Sequence, residues 1–391
     1  MKDYHYLIVG GGMTAAAALK GIREVDTQGS IGLFTADTHG PYARPPLSKA
    51  LWKGQTTVEK IMSKIPDGVD LHVGCTIRAL DVAGKSVTDG EGETYIYEKL
   101  LLATGGTPRR LPFGGDDIIY YRTLDDYQRL RALAEQHQKF VIIGGGFIGS
   151  EVAAALAMQG KSVTMIFPDA GVAQRVFPPE VVSFLNGYYQ EKGVEVLTNE
   201  RVNGLEGSGT ELVVLTESGR RVTANGVVAG IGIQPNVDLA TAAGLQVDNG
   251  IVVNSSLQTS QADIYAAGDV ANFQDNLLAT RRRVEHEDNA NRMGKAAGRA
   301  MAGASVDYDT SPMFYSDLFD LGYEAVGEID SRLQTVIDWQ QPFQKGTFYY
   351  LKDQHVRGVL LWNIYGQIDA AKALIRSGEA VTPESLAGRI R

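Results

Sequence analysis

The sequence predicts an α/β fold in which one strand–turn–helix unit occurs twice, and three observations carry that expectation. Glycine is in excess, with 45 in 391 residues against an average of about 7%, and without a Gly-X-Y period or low-complexity tract. Two glycine clusters, at residues 10–12 and 144–149, each follow a short apolar run and precede a small-residue helical pattern. Each pattern then leads to a second apolar run that closes on an acid, Asp37 in the first copy and Asp169 in the second.

In the first copy, residues 4–9 read as a strand, Gly10-Gly11-Gly12-Met13-Thr14-Ala15 as a Gly-x-Gly-x-x-Ala turn, the residues after it to about Val25 as an Ala-rich helix and 31–35 as the next strand. The first Gly allows a tight turn, the second lets backbone approach a pyrophosphate, and the third small residue lets helix pack on strand. The helix N-terminus then aims unpaired N–H groups at the phosphates. Asp37 stands 22 residues past Ala15, where an acid reaches a ribose hydroxyl. The second copy has a strand at 140–143, Gly144-Gly145-Gly146-Phe147-Ile148-Gly149, a helix through 159, a strand at 162–167 and Asp169. One such fingerprint is weak evidence. Two complete units in one chain predict two Rossmann-like dinucleotide-binding domains.

The echo extends further. Residues 71–97 and 194–223 each read as short alternating strands, closing on Leu100-Leu101-Leu102-Ala103-Thr104-Gly105 and on Val227-Val228-Ala229-Gly230-Ile231-Gly232. One domain interrupted by a similar one needs a return strand, and Asp263-Ile264-Tyr265-Ala266-Ala267-Gly268-Asp269 supplies it.

Charge and cysteine content narrow the function. Lys plus Arg total 37 against 46 Asp plus Glu, a net charge of −9 that disfavours nucleic acid and anionic membrane surfaces as partners. Cys75 is the single cysteine, which excludes an internal disulfide, a Cys-based zinc or iron–sulfur site and a two-cysteine redox relay. No leader pattern precedes the first strand, and no apolar stretch reaches the roughly 18 to 20 residues needed to cross a bilayer. The expected location is the cytoplasm, with no membrane span.

Pro41-Tyr42-Ala43-Arg44-Pro45-Pro46-Leu47-Ser48-Lys49 resembles the branch of two-dinucleotide-fold flavoproteins, of glutathione-reductase type, that contains ferredoxin and rubredoxin reductases and apoptosis-inducing factor. Ala103-Thr104-Gly105-Gly106-Thr107-Pro108-Arg109, Arg281-Arg282-Arg283-Val284-Glu285-His286, Ser316-Asp317-Leu318 with Gly322-Tyr323-Glu324-Ala325, and Leu361-Trp362-Asn363-Ile364 are similar to apoptosis-inducing factor. The resemblance covers essentially the whole chain. It implies a discontinuous FAD-binding domain (1–115 and 246–310), an NAD(H)-binding domain (116–245) and a C-terminal α+β domain (311–391).

By position, the resemblance implies FAD phosphates at Gly10, Gly11, Gly12, Met13, Thr14 and Ala15, the ribose at Asp37, the adenine side at the Ile77 backbone and the isoalloxazine beside Arg44 and Lys49. Thr104, Gly105, Arg122 and Asp269 would hold other parts of FAD, with His286, Glu287 and Tyr315 against the flavin. For NAD(H) it implies Gly144, Gly145, Gly146, Phe147, Ile148 and Gly149 at the phosphates, Asp169 at the ribose, and Gly232, Glu285, Glu324 and Asn363 at the nicotinamide half. Departures are visible too: Ala36 stands where relatives have a ribose-binding acid, Glu287 replaces a second histidine, and residues 48–75 lack a tryptophan-bearing hairpin.

Hydride transfer from nicotinamide C4 to flavin N5 needs stacked rings, a dry pocket and fixed charges. Lys49 follows the proline-rich stretch that closes the first fold and Glu151 opens the second helix, so an ion pair between them beside N5 is expected to orient the flavin. The bland alternative is an ordinary salt bridge. His286 is expected to contact cofactor rather than metal, because no second histidine lies at ligand spacing, and no metal site is expected. Arg281-Arg282-Arg283, flanked by Glu285, Glu287 and Asp288, reads as a paired or solvated turn rather than a phosphate patch. Tyr315 and Trp362 are candidate core aromatics, and Trp362 is taken as one. Asp169 favours NADH by repelling a 2′-phosphate, while Arg175 leaves NADPH use open. Thiol chemistry is excluded: the resemblance implies that the thiol-using branches carry a redox cysteine around residues 38–43, where this chain has none, and Cys75 is expected on a strand as a buried structural thiol. Two functions follow from the resemblance: an NADH-dependent reductase of a redoxin or quinone, which is favoured, and a slow NADH-sensing flavoprotein acting through shape or oligomeric change. The dimer-forming arginines of apoptosis-inducing factor are not evident at Ile251-Val252-Val253 or Ser260-Gln261, and the choice between monomer and homodimer stays open.

Overall fold

The computed structural model describes residues 2–391, which fall into two compact units. The first comprises Met1–Arg44, Val58–Thr107 and Gln234–Pro312; the second comprises Pro45–Thr57, Pro108–Ile233 and Met313–Arg391.

The first unit holds a seven-stranded sheet among the described residues. Lys2–Val9 pairs in parallel with Ile31–Phe34 on one side and Thr94–Leu102 on the other, and Ile31–Phe34 pairs in parallel with Val69–His72. Ile77–Asp81, Ser86–Asp89 and Thr94–Leu102 form an antiparallel meander at the far edge. The return strand, Ile264–Ala266, lies parallel to Thr94–Leu102 as the interrupted-domain pattern requires. Parallel neighbours need crossovers, and the helix Met13–Arg23 is one of them. Its alanines pack it closely on the helix Glu287–Met301. A Cβ at Gly294 would lie 2.3 Å from the Thr14 carbonyl, and one at Gly298 would lie 2.1 Å from that of Ala18, so only glycine permits this approach.

The second unit repeats the plan. Val194–Leu197, Ser162–Ile166, Lys139–Ile143, Gly226–Ala229 and Ile118–Tyr120 form a parallel five-stranded sheet in that order. Val202–Ser208, Glu211–Thr216 and Arg221–Ala224 make an antiparallel meander beside it. The C-terminal part adds an antiparallel sheet of Met313–Leu318, Leu321–Gly327, His355–Trp362, Lys345–Lys352 and Gln334–Gln341, backed by the helix Ile368–Ser377. Its core is aromatic: Phe177 packs edge-on to Tyr323, Phe348 and Trp362, and Trp362 is fully buried.

Four expectations change. The first helix ends at Arg23 rather than residue 25, and the second spans Phe147–Met158, placing Glu151 in its second turn rather than at its start. The proline-rich segment does not close the first fold, because Pro45–Thr57 belongs to the second unit. Trp52 explains this: its indole donates to Tyr121 Oη at 3.2 Å, and Gln159 Nε2 donates to the Trp52 carbonyl at 3.0 Å. Arg281-Arg282-Arg283 lies on the strand Thr280–Arg283, not in a turn. Arg282 pairs with the buried Asp275, Arg283 with Glu285, and Arg281 donates to the Val253 and Asn272 carbonyls.

Candidate active site

The two glycine turns are near copies in space. Gly10 has φ +113° and Gly144 φ +114°, conformations that a side chain resists. A Cβ would meet the Ala103 carbonyl at 2.1 Å in the first turn and the Gly230 carbonyl at 2.4 Å in the second. The N-caps match as well, Gly12 at φ −90°, ψ −167° and Gly146 at φ −82°, ψ −167°. Neither cap carries a side-chain hydrogen bond, and neither helix has an acid in its first turn. A Cβ on Gly12 or Gly146 would meet nothing within 4 Å. Each turn is therefore a cradle of unshared N–H groups at the positive end of a helix, which fits a pyrophosphate. The copies differ at the third position: Gly149 must be glycine, since its Cβ would lie 2.0 Å from the Gly144 carbonyl, whereas the first copy accommodates Ala15.

In the first unit, Asp37 follows its strand as the spacing requires. Its carboxylate accepts from Tyr42 Oη at 2.9 Å and stands 3.8 Å from the Arg44 guanidinium. Thr104 and Gly105 are locked by Asn236: its amide donates to the Thr104 carbonyl at 2.8 Å, and Thr104 Oγ1 donates to the Asn236 carbonyl at 2.8 Å. Sequence reasoning missed Asn236, which lies 132 residues away. Ile77 is buried, and Asp269 sits in a short 3-10 turn whose Gly268 leaves no room for a Cβ beside Thr14. His286 caps the helix that begins at Glu287, and desolvation pushes its pKa down to about 4. Cys75 is not on a strand: it lies in the loop before Ile77–Asp81, its Sγ 3.6 Å from Asp89 Oδ2. Burial and that carboxylate push its thiol up to about 11, the opposite of a reactive cysteine.

The second unit holds the ion pair. Glu151 is 4% exposed, and Lys49 Nζ stands 2.5 Å from its Oε2. Ser48 donates to Oε2 at 2.6 Å and Ser316 to Oε1 at 2.7 Å, contacts that sequence reading did not foresee. Lys49 Nζ also lies over the exposed Tyr315 ring, 5.4 Å from its centroid. Beside this cluster Phe147 and Ile148 are exposed apolar residues on the first turn of their helix, and Phe147 packs edge-on to Phe314. Asp169 is half-buried past the end of its strand, Arg175 is exposed, and Gly232 has φ +96° next to Arg109. Glu324 accepts from the Gly366 N–H at 3.2 Å. Asn363 has φ +49°, and its side chain bridges the Gly322 N–H and the Gln344 carbonyl, so backbone already engages its amide. Arg122 precedes a capping box, its N–H donating to Asp126 at 3.0 Å. The expected flavin residues Lys49, Arg122 and Tyr315 thus lie in the second unit and the expected nicotinamide residue Glu285 in the first. Among the described residues no group of three or more His, Cys, Asp and Glu is placed to hold a metal, and no helix is long and apolar enough to cross a membrane.

Two dinucleotide cradles in one chain, with an antiparallel C-terminal sheet, define a two-dinucleotide-fold flavoprotein, an FAD-dependent oxidoreductase of pyridine nucleotides. The chain belongs to the pyridine nucleotide-disulphide oxidoreductase family, whose model matches residues 4–294. Residues 297–342 and 337–377 match the C-terminal domain described for apoptosis-inducing factor. The chain is 33% identical to putidaredoxin reductase of Pseudomonas putida, over 97% of this chain and 93% of that protein. It is 33% identical to rubredoxin-NAD(+) reductase of Pseudomonas putida, over 83% and 86%. The crystal structure of a covalent putidaredoxin reductase–putidaredoxin complex is similar at TM-score 0.91, 33% identity, 99% of this chain and 96% of that one.

Proposed function

We propose that the protein is an NADH-dependent flavoprotein reductase of a small redoxin, with FAD in the first glycine cradle and NADH in the second. The observation that carries this reading is the pair of matched cradles, each open where a phosphate must approach, in a chain whose single thiol is held protonated. Without a thiol to receive them, electrons leave the flavin directly for an external acceptor. The reductase relatives support a protein acceptor, and nothing favours the slow-sensor alternative over turnover.

On this reading residues 1–115 and 246–310 form the flavin domain, 116–245 the nicotinamide domain and 311–391 the C-terminal domain. When bound, FAD would supply the chemistry of accepting a hydride from NADH and passing electrons to the acceptor. Gly10, Gly11, Gly12, Met13, Thr14 and Ala15 hold its pyrophosphate, and Asp37 accepts from its ribose. Lys49 presents a cation at the flavin and Glu151 keeps that cation fixed. The neutral His286 offers a ring that leaves the local charge unchanged at neutral pH. Gly144, Gly145, Gly146, Phe147, Ile148 and Gly149 cradle the NADH phosphates. Asp169 accepts from the ribose hydroxyls and repels a 2′-phosphate, which sets the preference for NADH. The test is steady-state turnover of the FAD-loaded protein with NADH and, separately, a ferredoxin, a rubredoxin and a soluble quinone. Multiple rapid turnovers of a redoxin are expected; turnover with none of the three overturns the reading.

A further inference from the structure

We propose that Ser48 and Ser316 are positioning residues: a two-hydroxyl clamp that holds the Glu151 carboxylate oriented toward Lys49. The inference rests on the proposed role of the Lys49–Glu151 pair and deepens it. Glu151 is 4% exposed, Ser48 6% and Ser316 1%. Each carboxylate oxygen has its own hydroxyl donor, Ser48 at 2.6 Å on Oε2 and Ser316 at 2.7 Å on Oε1, while Lys49 Nζ lies 2.5 Å from Oε2. A buried carboxylate is tolerated when both oxygens are satisfied. Lys49 is on Oε2, so without Ser316 the other oxygen loses its donor, and nothing holds the group against rotation away from Lys49.

The clamp draws together sequence-distant segments of the second unit, since Ser48 is 103 residues and Ser316 165 residues from Glu151. The strand Met313–Leu318 serves both members of the pair: Ser316 binds Glu151, and the adjoining Tyr315 ring lies under Lys49. Tyr121, Tyr189 and Tyr323 face the same carboxylate, and burial holds each in its protonated form. Lys49 therefore supplies the positive charge, and the serines supply the hydrogen bonds that carry no charge of their own. Each serine has one further partner, Ser48 the Pro45 carbonyl at 3.5 Å and Ser316 the Tyr323 hydroxyl.

The test compares S316A, S48A, the double variant and S316T with the unsubstituted protein. The first readout is the carboxylate stretching band of Glu151 at one neutral pH, taken from infrared difference spectra against E151Q, which reports the hydrogen bonds on its two oxygens. S316A and S48A are each expected to shift that band, the double variant to shift it furthest, and S316T to restore it. The second readout is the rate of flavin reduction in the FAD-loaded protein, expected to fall about tenfold in the double variant while the KM for NADH stays within twofold. An unchanged band and an unchanged reduction rate, with only a lower melting temperature, would overturn the clamp. If S316A fails to fold, S316C keeps the volume with a weaker donor and is read the same way. Should K49A and E151Q leave the flavin potential and reduction rate unchanged, the pair's role fails, and the infrared band still decides whether the serines hold the carboxylate.

Discussion

Replacing Gly146 by alanine separates folding from coenzyme binding. Its backbone, φ −82° and ψ −167°, suits any residue, and an added Cβ meets nothing within 4 Å. Alanine is a poorer N-cap than glycine by roughly 0.5–1 kcal/mol, offset by about 0.4–1 kcal/mol from the lower entropy of the unfolded chain. Stability is therefore expected to stay within about 0.5 kcal/mol of the unsubstituted protein. The methyl group occupies the space through which a phosphate reaches the helix N–H groups. Losing one such bond to a charged group costs about 1.5–3 kcal/mol, which is roughly a 10- to 100-fold rise in Kd for NADH. Gly149→Ala on the same helix is the contrast: its Cβ would stand 2.0 Å from the Gly144 carbonyl, and overpacking of this kind costs about 1–3 kcal/mol or more. Thermal melts and the NADH dependence of flavin reduction read both quantities, and Gly12→Ala supplies the mirror experiment, with loss of flavin expected instead. Unchanged NADH affinity in Gly146→Ala, or loss of flavin from that variant, would refute the assignment of the cradles.

Three further outcomes follow from the same geometry. Asp169→Ser removes the charge that opposes a 2′-phosphate, and the ratio of kcat/KM for NADPH to that for NADH is expected to rise about tenfold or more; an unchanged ratio would place the discrimination elsewhere. His286 has a folded pKa of about 4 against an ordinary 6.5, so unfolding takes up a proton between these values. Its contribution to stability is complete above pH 6.5, falls as pH drops below that, and is lost to an extent of about 3 kcal/mol by pH 4. Urea unfolding of the apoprotein at pH 7 and pH 5 is expected to show a smaller loss in H286N than in the unsubstituted chain, and equal losses would contradict the burial argument. Cys75→Ser is expected to retain full turnover with NADH and acceptor, because the thiol is held protonated beside Asp89; loss of the redox reaction in a folded C75S protein would reopen thiol chemistry.

What the sequence made legible was local. Gly10 and Gly144 need their left-handed φ within a few residues of chain, the cradles repeat at a fixed offset, and the return strand Ile264–Ala266 carries its own apolar signature. The pairing of Lys49 with Glu151 was also anticipated, though on resemblance rather than spacing. The rest depends on contacts that no short window contains. Trp52 attaches residues 45–57 to the second unit through the Tyr121 and Gln159 hydrogen bonds, and a proline-rich stretch beside the first fold does not announce that. Ser48 and Ser316 read as ordinary serines until the strand register of Met313–Leu318 sets one of them against a buried carboxylate. Asn236 and Asn363 likewise acquire meaning only through the backbone groups they close on. Cys75 falls within the alternating stretch of residues 71–97, yet Gly74 at φ +65° turns the chain just before it.

The central claim, that electrons pass from NADH through FAD to a redoxin without a thiol, is tested most directly by anaerobic stopped-flow on the FAD-loaded protein. NADH is mixed first, and oxidised ferredoxin or rubredoxin second. Rapid bleaching of the flavin by one equivalent of NADH, followed by reoxidation on mixing with the redoxin and repeated turnover under excess NADH, is the expected result. A reduced flavin that persists in a long-lived charge-transfer complex with NAD+ and ignores the redoxin would contradict the account.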